Sequence, residues 1–324
     1  MPRPNRHSRC LCLSLLLACV TGLGSASART ATVWIDTDPA IGSPFRDVDD
    51  AFALILAFHA AQLRIAGIST TYGNAGLTRT TSVARDLAAR FGQQAAISPA
   101  KVYPGAACAG DIRRRTAASE ALARTLRKEK LTYVALGPLT NLAAFIEQHP
   151  NLAGRFEQVI LVGGKSPGRQ LTFGQTGGWR IHDANVFKDP AAARRIMNAR
   201  IPLVLAPAET SSHLMLLPDE HRRLGQSAGA GDFLHQRSRL WMWFWTAIVR
   251  EKGGPLFDAL AVIAAARPDL LVIEKRFAAV NQSGDLVAAR VVMDHSRPVG
   301  FCTETNKGTK QFLLETLRAN RSTR

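Results

Sequence analysis

Short apolar runs and longer stretches with apolar residues at helical spacing take turns along the chain from Val33 to Ala206. Val33-Trp34-Ile35 is β-type and ends on Asp36-Thr37-Asp38-Pro39, and Asp49-Asp50 opens an apolar helical run that reaches His59. Leu63 to Thr70 alternates as a second strand, and Leu77 to Phe91 predicts a helix. Val102 to Gly105 reads as a short strand entering a turn, residues 106–118 as a loop, and Glu120 to Lys130 as a helix. Leu131 to Leu136 is a strand feeding Gly137-Pro138-Leu139-Thr140-Asn141, with a helix over Leu142 to Gln148. Phe156 to Val162 is a strand closed by Gly163-Gly164, and Lys165 to Trp179 is a loop. Asp189 as N-cap and Pro190 at the first helical position start a helix through Met197, and Ile201 to Ala206 is the next strand.

Further on, Pro218 to Gln226 and Asp232 to Arg250 predict helices. Gly253-Gly254-Pro255 breaks the chain before a helix over Leu256 to Val262. Leu270 to Ile273, Phe277 to Val280 and Val287 to Met293 predict an antiparallel set, and Lys307 to Arg318 a closing helix. Strand alternating with helix predicts an α/β fold: a mostly parallel, doubly wound sheet flanked by helices, with a small antiparallel β addition near the C-terminus. No repeat, low-complexity tract or linker divides residues 29–324, which read as one domain. Ligands of such sheets bind at the carboxyl ends of the strands, where Asp36/Asp38, Asn74 and Thr140 fall.

Residues 1–28 stand apart. Arg3, Arg6 and Arg9 precede an apolar Cys10 to Val20 and a small-residue stretch, Ser25-Ala26-Ser27-Ala28. That is the build of a cleaved export signal, too short for a stable membrane span, and it predicts a periplasmic or secreted protein. Leu16-Leu17-Ala18-Cys19 leaves a lipoprotein open as a poorer reading. Net charge is +16, or +13 once the three leader arginines are removed, since the leader holds no acid. The basic residues are dispersed, apart from Arg113-Arg114-Arg115 and a basic tail, and no aromatic-interleaved module accompanies them, so no nucleic-acid partner is expected. Cys108 and Cys302 remain after the leader, and whether they pair stays open.

The chemistry concentrates in Asp36, Asp38, Asp47, Asp49 and Asp50, five carboxylates beside two core elements. A helix cap needs one carboxylate, and unneutralised neighbours raise one another's pKa. A hard dication with oxygen ligands is the simplest remedy. Asp258, an isolated acid leading an apolar helix, is a further ligand candidate or an N-cap.

Asp36-Thr37-Asp38-Pro39 followed by Asp49-Asp50-Ala51 resembles the Asp-rich signature of the inosine–uridine-type nucleoside hydrolases, with Ala40 to Val48 inserted between its halves. Four further segments are similar to that family's in the same order: Tyr72-Gly73-Asn74, Gly137-Pro138-Leu139-Thr140-Asn141, His182-Asp183-Ala184-Asn185 with Asp189-Pro190, and Leu256-Phe257-Asp258. The resemblance implies Ca²⁺ held by Asp38, Asp50, Asp258 and the Thr140 carbonyl. It implies ribose contacts from Asp49, Asn74, Asp183 and Asn185, and a small-molecule nucleoside as partner, and it leaves a homo-oligomer open. The reaction it implies is calcium-dependent hydrolysis of a ribonucleoside N-glycosidic bond, with water held at the metal and activated by Asp38.

Three departures bear on the chemistry. Asp183 stands for the family's usual Glu, Phe257 for a histidine that in the base-nonspecific branch helps protonate the leaving base, and Gly177 for an asparagine. His182, His213 and His235 are candidates for acid help. Trp241 and Trp245, one helical turn apart, would either stack on a nucleobase or pack in the core. Two readings of other classes remain. One is a nucleoside- or ribose-binding protein that has lost turnover. The other is a haloacid-dehalogenase-type phosphatase, whose nucleophile also sits in an Asp-x-Asp after a strand.

Overall fold

The computed structural model describes Met1 and residues 30–175 and 177–319. In chain order it runs β1 (Ala31–Thr37), α1 (Asp49–His59), β2 (Leu63–Thr70), α2 (Leu77–Phe91), β3 (Val102–Pro104), α3 (Ala117–Lys128), β4 (Leu131–Ala135), α4 (Thr140–Gln148) and β5 (Phe156–Val162). A hairpin of β6 (Leu171–Phe173) and β7 (Trp179–Ile181) leads to α5 (Ala184–Phe187), α6 (Pro190–Asn198) and β8 (Leu203–Ala206). There follow α7 (Ala208–Ser211), β9 (Met215–Leu216), α8 (Pro218–Leu224), α9 (Ala230–Trp243), β10 (Gly254–Pro255) and α10 (Ala259–Ala266). The chain closes with β11 (Leu271–Val280), β12 (Leu286–Ala289), β13 (Arg297–Thr305) and α11 (Lys307–Arg318).

Nine strands form one sheet in the order β12-β11-β13-β8-β5-β4-β1-β2-β3. Every pairing from β13 to β3 is parallel, and β11 is antiparallel to both β13 and β12. The central strands read as near-continuous apolar runs because helices cover both faces. Along β1, Val33 and Ile35 join the core under α1, α2 and α10, while Trp34 joins the opposite core with α3, α4 and α6. All of α1 is buried, which explains why Ala51 to Phe58 lacks a polar face.

The structure moves several boundaries. α3 starts at Ala117, not Glu120, because the Thr116 hydroxyl accepts from Ser119 N and the Ser119 hydroxyl from Thr116 N, forming a capping box. The loop expected over Lys165 to Trp179 contains β6 and leads into β7. The long helix expected over Asp232 to Arg250 is α9 followed by a π-helical turn, Phe244–Ile248. Leu270 to Ile273 and Phe277 to Val280 belong to one strand, because charged Glu274-Lys275-Arg276 continues the pairing with β13. β13 itself has too little alternation to stand out in the sequence, yet it joins the antiparallel set edge-on to the main sheet through β8. Both cysteines are free, Cys302 buried and Cys108 exposed. Among the described residues no helix is long and apolar enough to cross a membrane. The expected export signal falls, Met1 apart, outside the described residues.

Candidate active site

The carboxyl ends of β1, β2, β4 and β5 open on one cleft of about 250 Å³. β1 ends at Thr37, so Asp38 escapes the strand's alternation and no longer shares a side with Asp36. Asp50, in the first turn of α1, is fixed by three donors: the Thr37 hydroxyl at 2.5 Å, Asp38 N at 2.9 Å and Asn74 Nδ2 at 2.9 Å. Asn74 N donates to Asp38 Oδ2 at 2.6 Å. This close approach requires Gly73, whose φ is +155° and on which a Cβ would collide with the Asp38 carboxylate. Asp258 occupies the N-cap position of α10 but makes no side-chain cap bond, leaving its carboxylate to the cleft. Ligand oxygens of Asp49, Asp50 and Asp258 lie within 4.8 Å of one another.

The opposite wall comes from the segment after β7. Asp183 caps α5, accepting from Gly164 N at 2.6 Å and Val186 N at 3.3 Å. Asn185 Nδ2 donates to the carbonyls of Leu136 (2.6 Å) and Val162 (3.2 Å) at the ends of β4 and β5. Lys188 also lines the cleft, with Nζ 4.0 Å from Asp38 Oδ2.

Burial raises the pKa of Asp38, Asp49 and Asp258 well above the usual carboxylate value, and charges of neighbouring aspartates add to it. Burial also raises Asp50, opposed by its bonds from Thr37 and Asp38 N. Asp183 is raised by burial against its backbone donors. Asp38, Asp49, Asp50 and Asp258 are each at most 4 % exposed, and the cation beside them in the cleft is Lys188. Such an oxygen-rich set of buried carboxylates fits a hard divalent cation, and the group of Asp49, Asp50 and Asp258 includes no cysteine or histidine.

Of the sequence-predicted residues, Asp38, Asp49, Asp50, Asn74, Asp183, Asn185 and Asp258 all line this cleft. Thr140 does not. As first residue of α4 its carbonyl is directed along the helix, and its hydroxyl donates to Asp189 Oδ2 at 2.6 Å. Leu136, four residues earlier, does line the cleft, and its carbonyl accepts from Asn185 Nδ2. Asp36 also lies apart, accepting from Ser69 Oγ (2.6 Å) and Asn141 Nδ2 (2.7 Å). Of the three histidines only His182 lines the cleft. His213 is exposed, and His235 packs on His221 at a centroid distance of 4.4 Å. Lys188 and Leu136 were missed. Lys188 could have been found, since it stands three residues after Asn185 and so shares its face across a short helical turn.

A mostly parallel α/β sheet with a cleft and a buried acid cluster at its carboxyl edge is the build of an enzyme for small polar ligands, and the acid cluster could hold a metal ion. The sequence narrows this. The chain belongs to the inosine-uridine preferring nucleoside hydrolase family, whose model matches residues 33–316. It is therefore a hydrolase acting on N-glycosyl bonds, and the phosphatase alternative falls away. It is 28 % identical over 283 residues to the non-specific ribonucleoside hydrolase RihC of Salmonella paratyphi A, covering 80 % of this chain and 87 % of that one. In fold it is similar to the plant nucleoside hydrolase PpNRh1 (TM-score 0.75, 23 % identity, 90 % of this chain and 99 % of that one). It is also similar to the inosine-uridine preferring nucleoside hydrolase of Bacillus anthracis (TM-score 0.67, 19 % identity, 89 % and 99 %).

Proposed function

We propose that this chain is an exported, calcium-dependent ribonucleoside hydrolase in which Asp38 is the general base. The observation that carries the reading is the gathering of Asp38, Asp49, Asp50 and Asp258 in one cleft with Asn74, Asp183 and Asn185. Asp38, Asp50 and Asp258 would hold the ion, with the Leu136 carbonyl taking the part first expected of Thr140. When bound, calcium would make a water easier to deprotonate and neutralise the carboxylates.

The chain's own residues do the rest. Asp38 accepts the proton of the attacking water, and the Lys188 ammonium favours the charged carboxylate, partly offsetting burial and the neighbouring Asp50. Asp49, Asn74, Asp183 and Asn185 offer mixed acceptors and donors to ribose hydroxyls. Their carboxylates bind more strongly as positive charge develops on the sugar, which is differential binding of the transition state. Val48, Phe257 and Trp245 are apolar neighbours of these carboxylates and limit water at the reacting centre.

Release of ribose from purine and pyrimidine nucleosides, with and without chelator, tests the reading. Wild type is expected to lose activity in chelator and regain it with calcium. Asp38→Asn should lower kcat by roughly 10²–10⁴-fold with a smaller change in KM. Turnover indifferent to both treatments would overturn the mechanism.

A further inference from the structure

The insertion of Ala40 to Val48 is not explained by the carboxylate cleft, yet it builds a second chamber against α9 and its π-helical turn. This chamber has a volume of about 210 Å³ and shares two walls, Asp47 and Trp245, with the cleft. It is below the roughly 300 Å³ of the smallest sites for drug-sized ligands. Its sides are Phe45, Trp241, Phe244 and Trp245, with Arg46 and Arg237 as cations. The chamber is held in place at Asp47, which accepts from Val48 N at 2.8 Å and from Trp241 Nε1 at 3.1 Å. Asp47 is thus already engaged, and among the described residues no hydrogen bond or ion pair neutralises the exposed Arg46. Phe45 beside it is 78 % exposed and has a φ of +56°, a backbone setting that bulky residues rarely adopt.

Flat apolar faces with guanidinium donors suit a planar heterocycle bearing oxygen acceptors, whereas the sugar's hydroxyls are matched by the carboxylates next door. Beside Asp258 stands Phe257, whose ring packs edge-on against Phe173 at 5.9 Å and offers no proton. We infer that the insertion makes the leaving-group pocket, and that Arg46 stabilises the departing oxo-base as an anion in place of an acid. This rests on the nucleoside hydrolase reading above and adds to it the choice of base.

The step balances without a protein acid. The C1′–N bond breaks with its electron pair passing to the base nitrogen, and its charge spreads to the ring's carbonyl oxygens. Water oxygen bonds to C1′ and its proton goes to Asp38. The base anion later takes a proton from solvent. Guanidinium groups stay charged at working pH, so Arg46 acts by field and hydrogen bond and transfers nothing. Bases with a carbonyl at the guanidinium, such as uracil and hypoxanthine, are then favoured over those presenting an amino group there.

The test compares uridine and inosine with 4-nitrophenyl β-ribofuranoside, whose phenolate leaves unaided, on wild type, Arg46→Ala and Arg46→Lys. Arg46→Ala should lower kcat on the nucleosides at least about tenfold while changing the nitrophenyl riboside by no more than about twofold. Arg46→Lys should recover part of the loss. Equal losses on both substrate types would mark Arg46 as merely structural, and unchanged nucleoside turnover would remove its role; either overturns the inference while leaving the hydrolase reading intact. Wild type that releases ribose from neither substrate overturns both.

Discussion

Asp36 and Asp38 are two residues apart and do different work. Asp38 faces the cleft, whereas Asp36 is fully buried behind it, with Oδ2 lacking any hydrogen-bond partner. Burial pushes the Asp36 pKa up to about 7, against the bonds from Ser69 and Asn141. A buried acid with a raised pKa binds protons more tightly folded than unfolded. Its stabilising contribution is therefore complete below the ordinary value of 3.8 and is lost as pH rises towards 7. Asp36→Asn keeps an oxygen for Ser69 and Asn141 but cannot ionise. Urea unfolding in chelator should show a flatter pH dependence for this variant between pH 4 and 7, the wild-type excess loss reaching up to about 4 kcal/mol. Parallel pH profiles of the two proteins would dismiss this account. The acids of the site were legible because charge beside apolar core runs is conspicuous and because the segments follow a known order. Thr140 lies outside the cleft lining because the residue that reaches the cleft depends on where β4 stops and α4 begins, which the motif does not state. Lys188 was legible only through its three-residue spacing from Asn185, which the α5 turn converts into an approach to Asp38.

Among the elements, the insertion and α9 depend on each other. Trp241 packs on Phe52 of α1 at a centroid distance of 6.1 Å and gives its indole N–H to Asp47. It is buried, and so is Trp245 a turn later, as the core-packing alternative expects, and Trp245 also borders the cleft. Trp241→Phe keeps most of the apolar contact and deletes the hydrogen bond. It should cost about 1 kcal/mol of stability and free the insertion. Trypsin cleavage after Arg46 should then accelerate several-fold in the native protein; a rate equal to wild type would mean the tie is not what orders the loop. The parallel half of the sheet was legible, since β1, β2, β4, β5 and β8 each end in a turn or polar motif after an apolar run. β13 was not, because it is half-exposed along much of its length and contains Pro298 and Gly300. Its position is decided by pairing with β11 and β8, which no local pattern states.

For the whole molecule, the sheet brings Asp38 just after β1, Asp49 and Asp50 of α1 and Asp258 at the start of α10 to one buried cleft, which ties stability to pH and, on the proposed reading, to a divalent ion. Without an ion, Asp38, Asp49, Asp50 and Asp258 hold their protons more tightly when folded, so folded protein binds more protons than unfolded protein above pH 3.8. Stability of the metal-free protein must fall as pH climbs through that window. On the proposed reading, calcium would take the deprotonated carboxylates in competition with those same protons, so its binding would tighten over the pH range in which the free protein weakens. At a hundred times its Kd a ligand adds about 2.7 kcal/mol, which for a chain of this size raises Tm on the order of 5 °C. Thermal melts should accordingly show a calcium-minus-chelator difference in Tm that is small at pH 5 and grows towards pH 8, with the chelated curve falling over the same interval. A difference independent of pH would mean that the ion binds elsewhere than among these carboxylates, and no difference at pH 8 would mean that Lys188 and bound protons alone balance their charge.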